Sequence, residues 1–199
     1  MTAAPDHALD DLLASIRGCT ACAPSLSHTP RPVIQASAAA RVCIAGQAPG
    51  TRVHATGMPF NDASGDRLRA WMGIDREIFY DANKVAIVPM GFCFPGLDEK
   101  GGDRPPRPEC APLWRDKVFA HLPNLELILV VGQYAQRWHL GKRRRDNLTE
   151  TVRAWRCYLP QLMPLPHPSW RNTGWLKKNP WFEQELLPEL RKRIAALTR

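Results

Sequence analysis

A chain of 199 residues and 22.4 kDa, 44% of them apolar, has the material for one domain spanning residues 1–199 with a sizeable core, and not for two. No apolar run approaches the roughly 20 residues of a membrane span, and the first residues carry acids and no basic n-region, so a soluble, cytoplasmic protein without a membrane partner is expected. The formal charge of +8 comes from one half: residues 1–100 hold 9 Lys and Arg against 10 Asp and Glu, residues 101–199 hold 18 against 9.

Leu9, Leu12, Leu13 and Ile16 recur at helical spacing and Gly18 can end the run. This predicts a helix over residues 6–17 and puts Cys19 directly after it. Residues 24–32 are a turn-rich connector. Residues 41–45 form a short apolar run with β-branched members, the form of a strand covered on both faces. It empties into a loop in which Gly46, Pro49, Gly50 and Gly57 let the backbone approach a ligand closely. The same loop holds one acid, Asp62, with Phe60 beside it as a flat apolar surface. Residues 66–72 read as a helix, 85–90 as a second strand, and 92–112 as a long loop stiffened by prolines. A helix over 113–122, a third apolar strand over 125–131 and a helix over 133–140 follow. Residues 140–147 are a basic insertion, and a weak fourth strand over 162–165 runs straight into Pro166-His167-Pro168-Ser169. Asn179 and Pro180 suit the N-cap and first position of a last helix that carries Leu186, Leu187, Leu190, Ile194 and Leu197 on one face. Strands separated by helices predict an α/β fold, three layers in the order α/β/α around a small, mostly parallel four-stranded sheet.

The basic half mixes Lys142-Arg143-Arg144-Arg145, Arg153, Arg156 and Arg171 with Trp155, Trp170, Trp175 and Trp181. Cations interleaved with aromatic rings suit a polyanion whose bases can stack; a solvated surface that keeps the protein soluble is the alternative. Six cysteines stand at positions 19, 22, 43, 93, 110 and 157, and without a secretory signal a disulfide framework explains them poorly. Cys19 and Cys22 form a CxxC pair and, with Cys93 and Cys110, bring four thiolates from three segments. That donor set suits a structural metal or an iron–sulfur cluster, and spacing does not choose between them. Cys43 and Cys157 read as small buried hydrophobes.

In a parallel sheet the loops that follow the strands share one edge, and ligands collect there. Gln47 and Asp62 follow the first strand, Cys93 the second and His167 the fourth, so the polar candidates converge. Their order resembles the uracil-DNA glycosylase superfamily over roughly residues 15–190. Gly46-Gln47-Ala48-Pro49-Gly50 is similar to the first glycosylase motif, Gly57-Met58-Pro59-Phe60 to the Gly-x-Pro-Phe that follows it, and His167-Pro168-Ser169 to the second motif. Cys19, Cys22, Cys93 and Cys110 match in order the four ligands of the four-iron four-sulfur cluster in families four and five.

The departures point toward family five. Gln47 and Ala48 stand where family four has Glu and family one has Asp, while Asp62, in Asp62-Ala63-Ser64-Gly65, is similar to the family-five acid. Pro89 falls near the position of the family-four Asn that reads the uracil edge, so strict uracil specificity is not expected. The resemblance implies a DNA glycosylase, acting as a monomer on DNA containing damaged bases, that flips and excises uracil or a related deaminated base in base excision repair. It implies Asp62 and His167 as catalytic residues, with Gln47 a third candidate that positions water or base. The backbone at Gly46, Ala48 and Pro49, the Phe60 ring, Asn61 and Met90 would meet the base. Ser169, Arg171 and Asn172 would meet the flanking strand, with Trp170 or Arg171 filling the gap left by the flipped nucleotide. The cluster would be structural, with zinc as the alternative. Two other readings stay open: a glycosylase-fold protein that binds DNA without cleaving it, and a metal-stapled α/β hydrolase of another small substrate, which the basic half disfavours.

Overall fold

The computed structural model describes residues 7–199. Four strands, β1 (Val42–Ala45), β2 (Val85–Ile87), β3 (Leu127–Val131) and β4 (Leu162–Leu165), form one sheet in the order β2-β1-β3-β4 with every pairing parallel. Among the described residues the α-helices are α1 (His7–Arg17), α2 (Thr51–Thr56), α3 (Ala63–Met72), α4 (Arg76–Tyr80), α5 (Cys110–Ala120), α6 (Gly132–Leu140), α7 (Leu148–Arg153), α8 (Thr173–Lys178) and α9 (Leu187–Leu197). None is long and apolar enough to cross a membrane.

Strand alternation assigns the two sheet faces. Val42, Ile44, Leu127 and Leu129 pack with Leu68, Trp71 and Met72 of α3 and Leu190 and Ile194 of α9. Cys43, Ala86 and Val88 pack on the opposite side with Leu9, Leu13 and Ile16 of α1 and Val118 of α5. Ala45 and Val130 continue that second face against Ala135 of α6. The α/β/α layering expected from the sequence is therefore present, with a fully parallel sheet. β1 lies between β2 and β3, so the chain winds outward from the centre in both directions, and a crevice opens at the carboxyl ends of β1 and β3. At the outer edge of β2, Gln35 pairs antiparallel with Ile87.

The differences from expectation have local causes. Helices α2, α4, α7 and α8 span only five or six residues each, too few for an apolar period to declare itself. Helix α3 begins at Ala63 rather than 66, because the Asp62 side chain caps it by accepting from the Gly65 N–H at 2.9 Å. Helix α5 begins at Cys110 rather than 113, since Pro112 sits in the first turn, where its missing N–H costs nothing. β2 stops at Ile87 ahead of Pro89, and β4 accommodates Pro164 because it is an edge strand. Asn179 does not cap the last helix: its Nδ2 donates to the Trp175 carbonyl and its Oδ1 accepts from Trp181 Nε1, while Phe182–Leu186 forms a π-helical turn ahead of α9. Cys157 is exposed, contrary to its expected burial, because Trp155 and Tyr158 take the inward positions of that turn. The start of the first predicted helix, at residue 6, lies outside the described residues.

Candidate active site

The crevice at the carboxyl edge is a cleft holding about 640 Å³ of empty space with its mouth included. Gly46, Gln47, Ala48 and Pro49 line it from the loop after β1, Pro89 from the loop after β2 and His167 and Ser169 from the loop after β4. Phe60 and Asp62 close one side, and Val33 and Ile87 add apolar surface.

The wall at Phe60 is built under strain. Phe60 has φ of 52°, the only positive φ of a non-glycine among the described residues, and such a conformation costs a bulky residue about 1–3 kcal/mol. Its surroundings hold it there. The carbonyl accepts from Tyr80 Oη at 3.3 Å and Arg69 Nη1 at 3.4 Å. Arg69 is itself buried, ion-paired to Asp66 and stacked on Phe79. Gly65 makes room, because a Cβ there would stand 1.7 Å from the Phe60 carbonyl oxygen. On the other side a Cβ at Gly46 would be 3.2 Å from Phe60 Cζ, so the ring lies against the first-motif backbone. Two residues on, Asp62 is fixed by its cap of α3.

His167 is oriented by its own loop. Its Nδ1 accepts from the Ser169 N–H at 3.2 Å, and its carbonyl accepts from Asn172 Nδ2 at 2.7 Å. A backbone amide can only donate, so Nδ1 is unprotonated and the neutral ring carries its proton on Nε2. Burial holds the imidazole below its ordinary range, opposed more weakly by the Asp62 charge. The ring is thus a neutral N–H donor on a cleft that also contains a carboxylate.

Of the other expected site residues, Gln47 lines the cleft, and its carbonyl accepts from the Gly91 N–H at 3.0 Å. Met90 does not line it: the side chain is buried in the core with Ala111 and Val130, and its N–H donates to the Gly46 carbonyl. Asn61, Arg171 and Asn172 are also absent from the lining. Asn172 instead ties down the His167 loop, while Arg171 stacks on Trp170, which is 71% exposed beside the cleft. Sequence reasoning missed Asp103, which lines the cleft from the loop between Cys93 and Cys110. The sequence shows only that it is an acid in a loop leaving the same sheet edge; the fold-back of that loop, which brings it to the cleft, leaves no local pattern.

Pro89 is held from behind. The fully buried Arg115 donates to the carbonyls of Val88 and Pro89 at 2.8 and 2.7 Å and lies against His139. Burial pushes the guanidinium down to about 10 and, with the Arg115 charge, the imidazole of His139 down to about 3.

Cys19, Cys22, Cys93 and Cys110 line one separate cavity of about 420 Å³, with Phe92 and Trp114 among its apolar walls. All four are free thiols. Cys110 opens α5 and its Sγ accepts from the Phe92 N–H at 3.3 Å. Burial pushes Cys93 up to about 11 and Cys110 up to about 12, with the neighbouring thiols adding to the rise. A bound cation reverses that penalty, because a coordinating thiol is deprotonated outright. Among the described residues no three His, Cys, Asp or Glu side chains stand grouped as they would around one metal ion. Four thiols around one cavity are a donor set that a structural metal or an iron–sulfur cluster would take.

A sheet-edge cleft with a neutral imidazole donor, a capped carboxylate and an aromatic wall defines an α/β protein equipped to bind and polarise a flat, polar ring. A family model described as the uracil DNA glycosylase superfamily matches residues 34–191, and the chain belongs to that superfamily. The match takes in Asp62, Cys93, Cys110 and His167; Cys19 and Cys22 lie before it. Membership brings a broadly uracil-DNA glycosylase-like function, with DNA as the partner.

Proposed function

We propose that the cleft excises uracil or a related deaminated base from DNA by hydrolysing the N-glycosidic bond. The observation that carries this reading is the pairing, in one cleft, of His167 as a fixed Nε2–H donor with Asp62 as a fixed anion. Breaking the bond builds negative charge on the departing base and positive charge on the sugar. His167 donates toward a carbonyl of the base, and Asp62 steadies the oxocarbenium-like sugar. The target atom is inaccessible in a duplex, so the nucleotide is flipped into the cleft against the Phe60 ring. Trp170, exposed and directly after the cleft residue Ser169, would occupy the vacated stack.

Pro89 offers no amide where a uracil-reading Asn would stand, and this supports acceptance of more than one deaminated base. Cys19, Cys22, Cys93 and Cys110 would hold a four-iron four-sulfur cluster, a structural group that joins the N-terminal segment to the loop before α5. The hydrolysis needs no electron from it.

Asp62→Asn is the cleanest test, because Asn caps a helix about as well as Asp. The substitution removes the charge and keeps the fold. Base release from a uracil-containing oligonucleotide, read as alkali-sensitive nicking, should fall about 100-fold or more with DNA affinity retained. Full activity in this variant would falsify the assignment of the acid. Wild-type protein that binds such DNA yet nicks nothing would favour the reading of a DNA-binding protein without excision, which the missing first-motif acid raises.

A further inference from the structure

Position 103 holds a second carboxylate in the same cleft. Asp103 belongs to the loop between Cys93 and Cys110, whose tip is tightly tied. Asp98 Oδ1 accepts from the N–H groups of Lys100 and Gly102 at 2.9 and 2.8 Å, and the Arg104 N–H donates to the Gly96 carbonyl at 2.9 Å. Leu97 and Asp103 pair as an antiparallel bridge. The tip carries Asp103 against the first-motif loop: a Cβ added to Gly50 would lie 3.5 Å from Asp103 Oδ2. The acid that Gln47 and Ala48 lack is thus brought to the same loop from outside it.

The two carboxylates are differently prepared. Asp62 has Oδ1 taken up by the Gly65 N–H and is held by the start of α3, as suits a stationary charge. Asp103 accepts no hydrogen bond and makes no ion pair among the described residues, although it lines the cleft. Desolvation raises its pKa above the usual carboxylate value; the Arg171 charge opposes the rise, and the weaker effects of Asp62 and Asp98 add to it. A partly desolvated carboxylate that accepts no hydrogen bond is a better proton acceptor than an ordinary one.

Building on the glycosylase reading, we propose that Asp103 is the general base that takes a proton from the attacking water. The C1′–N bond breaks and its electron pair leaves on the base. The water oxygen bonds to C1′, its proton passes to the Asp103 carboxylate and from there to solvent, and the released base anion takes up a proton. Asp62 stays charged throughout, and His167 donates its hydrogen bond to the base without losing the proton.

The test compares wild type, Asp62→Asn, Asp103→Asn and Asp103→Ala under single-turnover conditions, on whichever deaminated base wild type releases. Asp103→Asn should slow release about 100-fold or more at unchanged oligonucleotide affinity and melting temperature. Formate, a small carboxylate able to enter the space vacated in Asp103→Ala, should restore part of the rate in a saturable way. Release by Asp103→Asn within about threefold of wild type, or a loss that formate leaves untouched, overturns the role of Asp103. If wild type is active and Asp62→Asn is impaired, that failure leaves the glycosylase reading standing. Wild-type protein that releases no base from any oligonucleotide overturns the reading and the role together.

Discussion

Gly65→Ala puts the account of the strained wall to a direct test. A Cβ at this position would stand 1.7 Å from the Phe60 carbonyl oxygen, 2.7 Å from its carbonyl carbon and 2.9 Å from its Cβ, where real Cβ contacts almost never fall below 3.0 Å. Two of these neighbours are backbone, so rotating a side chain gives no relief. The loop carrying Phe60 must open by more than 1 Å, away from Arg69 and Tyr80 and with a change in the Asp62 cap. Overpacking of this kind costs about 1–3 kcal/mol, which for a chain of this size lowers Tm by about 2–12 °C. A displacement of about 1 Å at a reacting centre costs about 100-fold in rate. Thermal melting and single-turnover base release read the two effects separately. Gly174→Ala is the control, since a Cβ there would meet nothing within 4 Å beyond its own helix backbone and chain neighbours. A Gly65→Ala protein that melts and excises like the control would refute the claim that this glycine maintains the wall.

His167→Ala should lower base release about 100-fold or more while leaving DNA affinity nearly unchanged, measured by nicking and by fluorescence anisotropy on the same oligonucleotide. Cys93→Ser should abolish the brown colour and broad visible absorption expected of purified protein; colourless protein containing zinc would overturn the iron–sulfur proposal. His139 has its folded-state value depressed to about 3 by burial and Arg115, so the unfolded chain takes up this proton first as the pH falls. Its contribution to stability is complete above about 6.5 and is lost on acidification toward 3, at roughly 1.4 kcal/mol per pH unit within that window. Denaturant unfolding at a series of pH values should show a shallower acid dependence in His139→Gln, and an unchanged slope would remove His139 as the cause.

The sheet was legible because its strands are continuous apolar runs, which only a sheet covered on both faces can bury. That Asp62 and His167 come to one edge was legible for a related reason: both follow such runs, and parallel strands deliver their following loops to one edge. Short helices were not. Leu148–Arg153 has too few positions to show a period, and its cap, Asn147, lies inside a run of charged residues that reads as a surface insertion. Met90 was misplaced because a strand-end residue can face cleft or core, and the backbone turn at Pro89 decides which. Asp103 was hidden because its position depends on a loop folded back on itself through Asp98, a tertiary relation that no local pattern records.

The central claim is that this cleft cuts a glycosidic bond. Oligonucleotides that each carry one uracil, hypoxanthine or xanthine, incubated with wild-type protein and analysed by mass spectrometry, test it most directly. The account predicts a free base and an intact strand with one abasic site, for uracil and for at least one other deaminated base. Tight DNA binding with every strand left at its starting mass would contradict it.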